Sequence, residues 1–167
     1  MKKLMLLGAF ALFGGLANAQ SGFKLGGHIG APVGDAADYA SFTLGVDAAY
    51  MWNITKGLDV GVASGYSHFF GKDRWEDFGF IPLAASGKYR FSGLPLFVGL
   101  DLGGAISTKD GIDSGLYVYP KVGFQLPKAE LYLGYQNIGS ERRDFDRDRR
   151  IDSNFGAINL GVNFFLK

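Results

Sequence analysis

Apolar and polar residues alternate along most of the chain after about residue 20. In the run 42–52, for example, Phe42, Leu44 and Val46 are separated by Thr43 and Gly45. A period of two is the pattern of β-strands, and no segment shows a sustained helical period. The alternation predicts eight strands, at 22–31, 42–52, 58–70, 78–91, 96–106, 116–126, 129–138 and 154–166.

The connections between these strands alternate in length. Tight turns are predicted at 53–57, 92–95 and 127–128, and longer polar loops at 32–41, 71–77, 107–115 and 139–153. Transmembrane β-barrels combine an even number of strands with short periplasmic turns and longer extracellular loops. The predicted fold is therefore all-β, a closed antiparallel eight-stranded up-and-down transmembrane β-barrel with both termini on the periplasmic side.

The two faces of the strands indicate which of them meets lipid. A soluble sandwich or lipocalin-like barrel would turn the apolar face inward. Here the opposite face is mostly glycine, small residues and opposed charges, which would coat a soluble exterior poorly. Aromatic residues lie near the strand ends of the apolar face: Tyr50, Trp52, Tyr89, Phe91 and Phe164 at one end, and Tyr66, Phe70 and Tyr135 at the other. Two aromatic girdles around an aliphatic band predict a lipid-facing wall.

Residues 1–19 have the features of a cleaved signal peptide. Lys2 and Lys3 precede an apolar run, 4–16, and Ala17-Asn18-Ala19 forms a small-x-small cleavage site. The run is shorter than the roughly 20 residues that a transmembrane helix needs. The mature barrel domain is thus predicted to be 20–167, and without a cysteine it is no lipoprotein.

Composition narrows the functional classes. The chain has 17 basic and 16 acidic residues, and the signal peptide contains two of the basic ones, so the mature net charge is −1. This balance gives no basic excess for nucleic acid. The absence of cysteine excludes disulfides and thiolate metal sites. No cofactor is expected.

The predicted inward face carries four basic and four acidic residues: Lys24, Lys88, Arg90, Lys121, Asp47, Asp59, Asp101 and Glu130. An eight-stranded barrel is just wide enough for side chains to fill, and buried charges persist only when partnered. A salt-bridged polar plug is the prediction, with a gated proton or small-solute path as the alternative. Symmetric hairpin pairing predicts Asp101 opposite Lys121, and Asp59 opposite Lys88 and Arg90.

The last strand resembles the β-signal that the outer-membrane assembly machinery recognises. Asn159, Gly161, Phe164 and Leu166 occupy its four defining positions, although the chain ends in Lys167 rather than an aromatic residue. In pattern and length, the mature chain resembles the small OmpA/OmpX-type barrels of the outer membrane protein beta-barrel domain family. The resemblance implies fold, location in the bacterial outer membrane, and contact with its lipid and lipopolysaccharide. It implies no activity, since members do unrelated things.

Some eight-stranded barrels modify lipid A with a Ser/His/acid set at the outer rim. His68 lies near that rim, but Ser67 points to the opposite face and Ser64 is about 13 Å away in an extended strand. Neither serine forms a nucleophile–base pair with His68, so no catalytic residue is predicted. His28 is predicted to join the polar plug rather than a metal site.

The loop 139–153 carries aspartates with part of the spacing of an EF-hand. Arg149 replaces the required glycine and Phe155 the bidentate glutamate, so no metal site is predicted. The arginines of this loop either pair with its aspartates or engage lipopolysaccharide phosphates or a partner protein. They are Arg142, Arg143, Arg147, Arg149 and Arg150.

Three functions are compatible with these features. The leading hypothesis is a non-enzymatic barrel that serves envelope integrity or binds surface partners through its outer loops, with an envelope protein as a possible partner. A lipid A-modifying enzyme and a narrow conduit for small solutes are the alternatives.

Overall fold

The computed structural model describes residues 21–72, 76–109, 114–144 and 149–166, with side chains at 22–72, 76–109, 114–139 and 154–166. The predicted signal peptide and its cleavage site lie outside the described residues and stay predictions. Within the described ranges, no helix is long and apolar enough to cross a membrane.

Eight strands form one closed sheet in which each pairs antiparallel with its sequence neighbour and the first pairs with the last. This confirms the predicted eight-stranded up-and-down barrel. The strands are β1 (Ser21–Gly34), β2 (Ala40–Thr55), β3 (Leu58–Gly71), β4 (Phe78–Arg90), β5 (Leu96–Ser107), β6 (Gly115–Gln125), β7 (Ala129–Asp144) and β8 (Arg149–Leu166). A single helical turn, α1 (Ala36–Tyr39), lies in the first long connection.

The barrel is apolar outside and polar inside. On β4, Leu83 is 68% exposed whereas Lys88 is only 5% exposed. The exposed wall is aliphatic on every strand and includes Leu25, Leu44, Val62, Leu83, Leu102, Val122, Leu133 and Leu160. Aromatic pairs lie at both ends of this wall: Tyr50–Trp52 and Tyr89–Phe91 at the short-turn end, and Phe42–Phe70 at the other. Such a surface fits a lipid-facing wall.

The short turns at the predicted periplasmic end use glycine where the backbone requires it. Gly57, between β2 and β3, has φ +101°, and Gly93, between β4 and β5, has φ +83°. Residues with a Cβ rarely adopt these angles. The Gly57 carbonyl accepts a hydrogen bond from the Arg90 N–H at 2.7 Å, which fixes this turn to the end of β4.

The connection predicted as a polar loop at 139–153 is instead mostly a two-stranded ribbon. β7 and β8 stay paired as far as Asp144 and Arg149, although β6 stops pairing with β7 at Gly139 and β1 stops pairing with β8 at Phe155. Hydrogen bonds between paired strands need no apolar side chains, so β7 and β8 continue beyond the point where the apolar alternation ends. The first long connection is likewise shorter than predicted, because β1 and β2 extend to Gly34 and from Ala40.

Candidate functional site in the barrel interior

The end of the lumen near the short turns is held by a shared acid. Glu130 of β7 accepts hydrogen bonds from Lys24 Nζ and Lys88 Nζ, each at 2.9 Å. Asn163 Nδ2 adds a third donor to Glu130 at 3.1 Å. The four residues come from β1, β4, β7 and β8, so this cluster ties opposite walls of the barrel together.

A second acid, Asp59, lies closer to the mouth. It is directly opposite Lys88 in the β3–β4 register, as hairpin symmetry predicts. Lys88 Nζ is 3.7 Å and Arg90 Nη2 3.0 Å from its carboxylate oxygens, and Asn53 Nδ2 donates to it at 2.7 Å. Lys88 therefore bridges the Asp59 and Glu130 clusters.

The third ion pair joins Asp101 and Lys121, with Nζ 2.5 Å from Oδ2. The prediction that they are directly opposite is wrong, because Asp101 faces Tyr119 and Lys121 faces Gly99 in the β5–β6 register. The pairing is shifted by two residues, and the flexible lysine stem spans the diagonal. Lys121 Nζ also lies 4.6 Å from the centroid of Tyr119, and Ser86 Oγ donates to Asp101 at 2.6 Å.

Asp47 forms no ion pair with a lysine or arginine of the described chain. It meets His28 Nδ1 at 2.9 Å, and the Tyr132 hydroxyl donates to it at 2.5 Å. The four basic and four acidic residues of the lumen therefore do not pair one to one. The four bases share three of the acids, Asp59, Asp101 and Glu130, and His28 is a fifth basic group that contacts Asp47.

His28 links Asp47 to a serine that the sequence analysis did not pair with it. Ser67 Oγ lies 3.2 Å from His28 Nε2, which gives the order Ser–His–Asp found in hydrolases. Ser67 is only 2% exposed, and its hydroxyl also reaches Gln136 Oε1 at 3.2 Å. Because Ser67 and His28 are both buried, the arrangement is a buried hydrogen-bond chain. Strand alternation places both residues inward, and they meet across Gly45 of β2, which pairs with His28 on one side and with Ser67 on the other.

Above His28, a neutral polar layer is organised around Asn159. This side chain is fully buried, donates to Tyr119 Oη and Gln136 Oε1, each at 3.1 Å, and accepts from Thr43 Oγ1 at 3.0 Å. The other β-signal residue on the inner face, Gly161, borders the Tyr132 ring so closely that a Cβ would collide with it. Phe164 and Leu166 lie on the exposed wall.

Aromatic side chains close the outer end of the lumen. Phe69 and Phe78 stack at 5.0 Å between centroids, and Phe155 lies 5.5 Å from Phe78 and 5.6 Å from Phe80. Phe69, Phe80 and Ala36 of α1 are fully buried. Phe78, Phe80 and Lys88 all occupy even-numbered positions of β4, whose side chains point into the barrel. The same alternation could have predicted an apolar seal from the sequence.

The interior space is unequal along the barrel. A cavity of about 570 Å³ lies at the short-turn end, bordered by Lys24, Asp59, Arg90 and Phe165 among others. Deeper, between Asp47 and Asp101, a cavity of about 30 Å³ has room for roughly one or two waters. The lumen is thus open at one mouth and tightly filled at its centre.

His68 lies at the outer rim, and no serine of the described residues hydrogen-bonds to its ring. Its Nδ1 is 2.9 Å from Tyr66 Oη and its Nε2 3.2 Å from Asp77 Oδ2. Ser64 instead donates to the Pro82 carbonyl at 2.9 Å. The Gly71 N–H donates to Asp77 at 2.8 Å and, with His68, holds the pKa of this exposed carboxyl below its ordinary value.

The arginines proposed for surface interaction lie on or beyond the ribbon. The backbone of Arg142, Arg143, Arg149 and Arg150 is paired in β7 and β8, but their side chains lie outside the described part of the chain. Arg147 lies outside it altogether. Their binding role stays a prediction.

A closed antiparallel barrel with an aliphatic exterior and buried charges is a membrane-spanning fold, because its strands pair all the way round the barrel and the outside is apolar. The protein is an integral barrel of the bacterial outer membrane. Within that class, its fold is that of the small eight-stranded barrels.

Solved structures share this fold. Neisserial surface protein A is 20% identical, with a TM-score of 0.51 over 86% of this chain and 96% of its own. The attachment invasion locus protein Ail of Yersinia pestis is 14% identical, with a TM-score of 0.52 over 87% and 97%. A de novo designed transmembrane β-barrel is 12% identical, with a TM-score of 0.51 over 87% and 95%. No protein-family model matches the sequence, and no curated protein matches it significantly.

Proposed function

We propose that this protein is a non-enzymatic outer-membrane barrel with a plugged lumen, serving envelope integrity or surface interaction through its outer loops. The observation that carries the proposal is the layered filling of the lumen. The aromatic seal of Phe69, Phe78, Phe80 and Phe155 covers the Asn159 layer, and the ion pairs follow below it.

The filling argues against a conduit for solutes. An ion crossing the barrel would have to displace fully buried phenyl rings and separate carboxylates from lysines at 2.9 Å. Separating buried ion pairs costs several kcal/mol for each ion left alone. The central cavity of about 30 Å³ is also too small for a hydrated ion.

Conductance in planar bilayers tests the plug. We expect the wild-type barrel to show no stable open level, and Phe78→Ala/Phe80→Ala to show leak events because the seal is removed. Leu83→Ala, on the lipid face of the same strand, is the matched control and should behave as wild type. Sustained wild-type conductance would make the narrow conduit the better function.

Surface interaction is supported by the ribbon, which extends β7 and β8 past the point where the neighbouring strands end. Its sequence supplies the five arginines 142, 143, 147, 149 and 150, and guanidinium groups form bidentate contacts with phosphates. We expect replacement of all five by serine to leave folding intact and to weaken binding to lipopolysaccharide-containing vesicles. Lys72→Ser, an exposed change at the same end, is the control. Unchanged binding to vesicles and to envelope proteins would reduce the ribbon to a self-paired solvated segment.

The lipid A-modifying alternative has one geometric argument, the Ser67–His28–Asp47 chain, and burial of Ser67 opposes it. Mass spectrometry of lipid A from cells with and without the protein should show no difference. A modification that Ser67→Ala abolishes would overturn the non-enzymatic proposal.

A further inference from the structure

The cavity at the short-turn mouth, here called the vestibule, has a lining of uneven charge. Its charged lining residues are Lys24, Lys56, Asp59, Lys88 and Arg90. Four of these side chains are cationic and only Asp59 is anionic. Glu130, just below, accepts from Lys24 and Lys88, so four cations still face two acids.

The excess positive charge lies at the mouth of the vestibule. Lys24 and Lys88 are buried and held by Glu130. Arg90 has five N–H donors, of which the Nη2 group serves Asp59, and its side chain is 37% exposed. Lys56 is exposed and forms no ion pair within the described residues.

The backbone holds these two mouth cations in place. Lys56 precedes Gly57 in the turn between β2 and β3, and the Gly57 carbonyl accepts from the Arg90 N–H at 2.7 Å. The cations therefore sit on two hydrogen-bonded elements at the rim of a concave space of about 570 Å³. Pockets of roughly 300–1,000 Å³ accommodate small organic ligands.

We propose that the vestibule is a periplasmic binding site for a small polyanion bearing carboxylate or phosphate groups. Lys56 and Arg90 contact the anion, and Lys24 and Lys88 add to the positive field behind it. Partly enclosed cationic clefts concentrate anions, because low-dielectric walls focus the field. Asn53 and Gln125 supply neutral polar groups to the same lining.

Calorimetric titration of the refolded mature protein at low salt tests the site with citrate, pyrophosphate and sucrose as probes. We expect saturable binding of at least one anion with a Kd of about 1 mM or below, and none of sucrose. Binding of citrate alone identifies a carboxylate ligand, and binding of pyrophosphate alone a phosphate ligand. Binding of either anion should weaken when salt is added, because salt shortens the electrostatic screening length.

Two variants connect the binding to the vestibule. Lys56→Gln and Arg90→Gln should each weaken anion binding about fivefold or more, since each removes a full charge at contact distance. In Arg90→Gln, the Asp59 carboxylate still has Asn53 and Lys88 as partners. Lys56 makes no ion pair in the described chain, so its replacement breaks none, and both variants should fold. Lys128→Gln is the matched control, an exposed lysine of another short turn that does not line the cavity.

Two results would overturn the proposal. The first is no saturable binding of either anion up to about 10 mM. The second is equal weakening in Lys128→Gln and Lys56→Gln, which would show diffuse attraction to the whole mouth. The conductance experiment is independent of both, so a plugged barrel without the anion site is a distinguishable result.

Discussion

Removing Asp101 tests whether the lumen is held by specific ion pairs. Asp101→Leu leaves the Lys121 ammonium in a site where its side chain is only 14% exposed. Removing one partner of a buried pair costs roughly 3–5 kcal/mol, whereas replacing both by apolar groups is often nearly neutral. Asp101→Leu should therefore destabilise the barrel more than Asp101→Leu/Lys121→Met.

The surroundings of the pair refine these magnitudes. Lys121 Nζ keeps the rings of Tyr119 and Tyr132 at 4.6 and 5.3 Å, and a cation–π contact contributes about 0.5–2 kcal/mol. The single variant should lose about 3 kcal/mol. The double variant should lose about 1 kcal/mol, because Ser86 loses the acceptor it holds at 2.6 Å.

Urea unfolding in lipid vesicles, followed by tryptophan fluorescence and by heat-dependent gel mobility, measures the difference. Glu76→Gln removes the exposed ion pair with Lys109 at 2.8 Å and should leave the unfolding midpoint unchanged, as exposed pairs contribute little. If Asp101→Leu is as stable as the double variant, the lumen charges are solvated and the plug argument fails.

Three further predictions concern export, assembly and the outer rim. N-terminal sequencing of membrane-extracted protein should begin at Gln20, and a start at Met1 would contradict the signal peptide. Phe164→Asp/Leu166→Asp should leave unfolded protein in the periplasm, because both residues lie on the lipid wall and in the proposed β-signal; a normal heat-modifiable barrel would argue against that assignment. The pKa of Asp77 is lowered chiefly by the Gly71 N–H, so this contact is present above the ordinary value of 3.8 and is lost as pH falls through the lower folded value. The Gly71 amide should therefore show an NMR titration with a midpoint below 3.8 that Asp77→Asn abolishes.

The sequence by itself determined the barrel wall. Membrane and lumen impose opposite polarities on alternate residues of one strand, so the period of two in β2 or β4 indicates both the strand and its faces. The inward position of Lys24 and Glu130 follows from the same parity. The length of the β7–β8 ribbon does not follow from it, because nearly all residues of the ribbon beyond Gly139 are polar and show no apolar alternation.

Only the tertiary structure decided which inward groups meet. Alternation places Asp47 in the lumen, and its partner His28 lies diagonally opposite on the neighbouring β1. Its other partner, Tyr132, comes from β7, and that contact depends on closure and strand stagger. Asp101 and Lys121 show the same limit in one hairpin, where a two-residue shift changes the opposed residue while a flexible side chain preserves the contact. Parity is a local property of the backbone, whereas lumen pairing depends on the register of all eight strands.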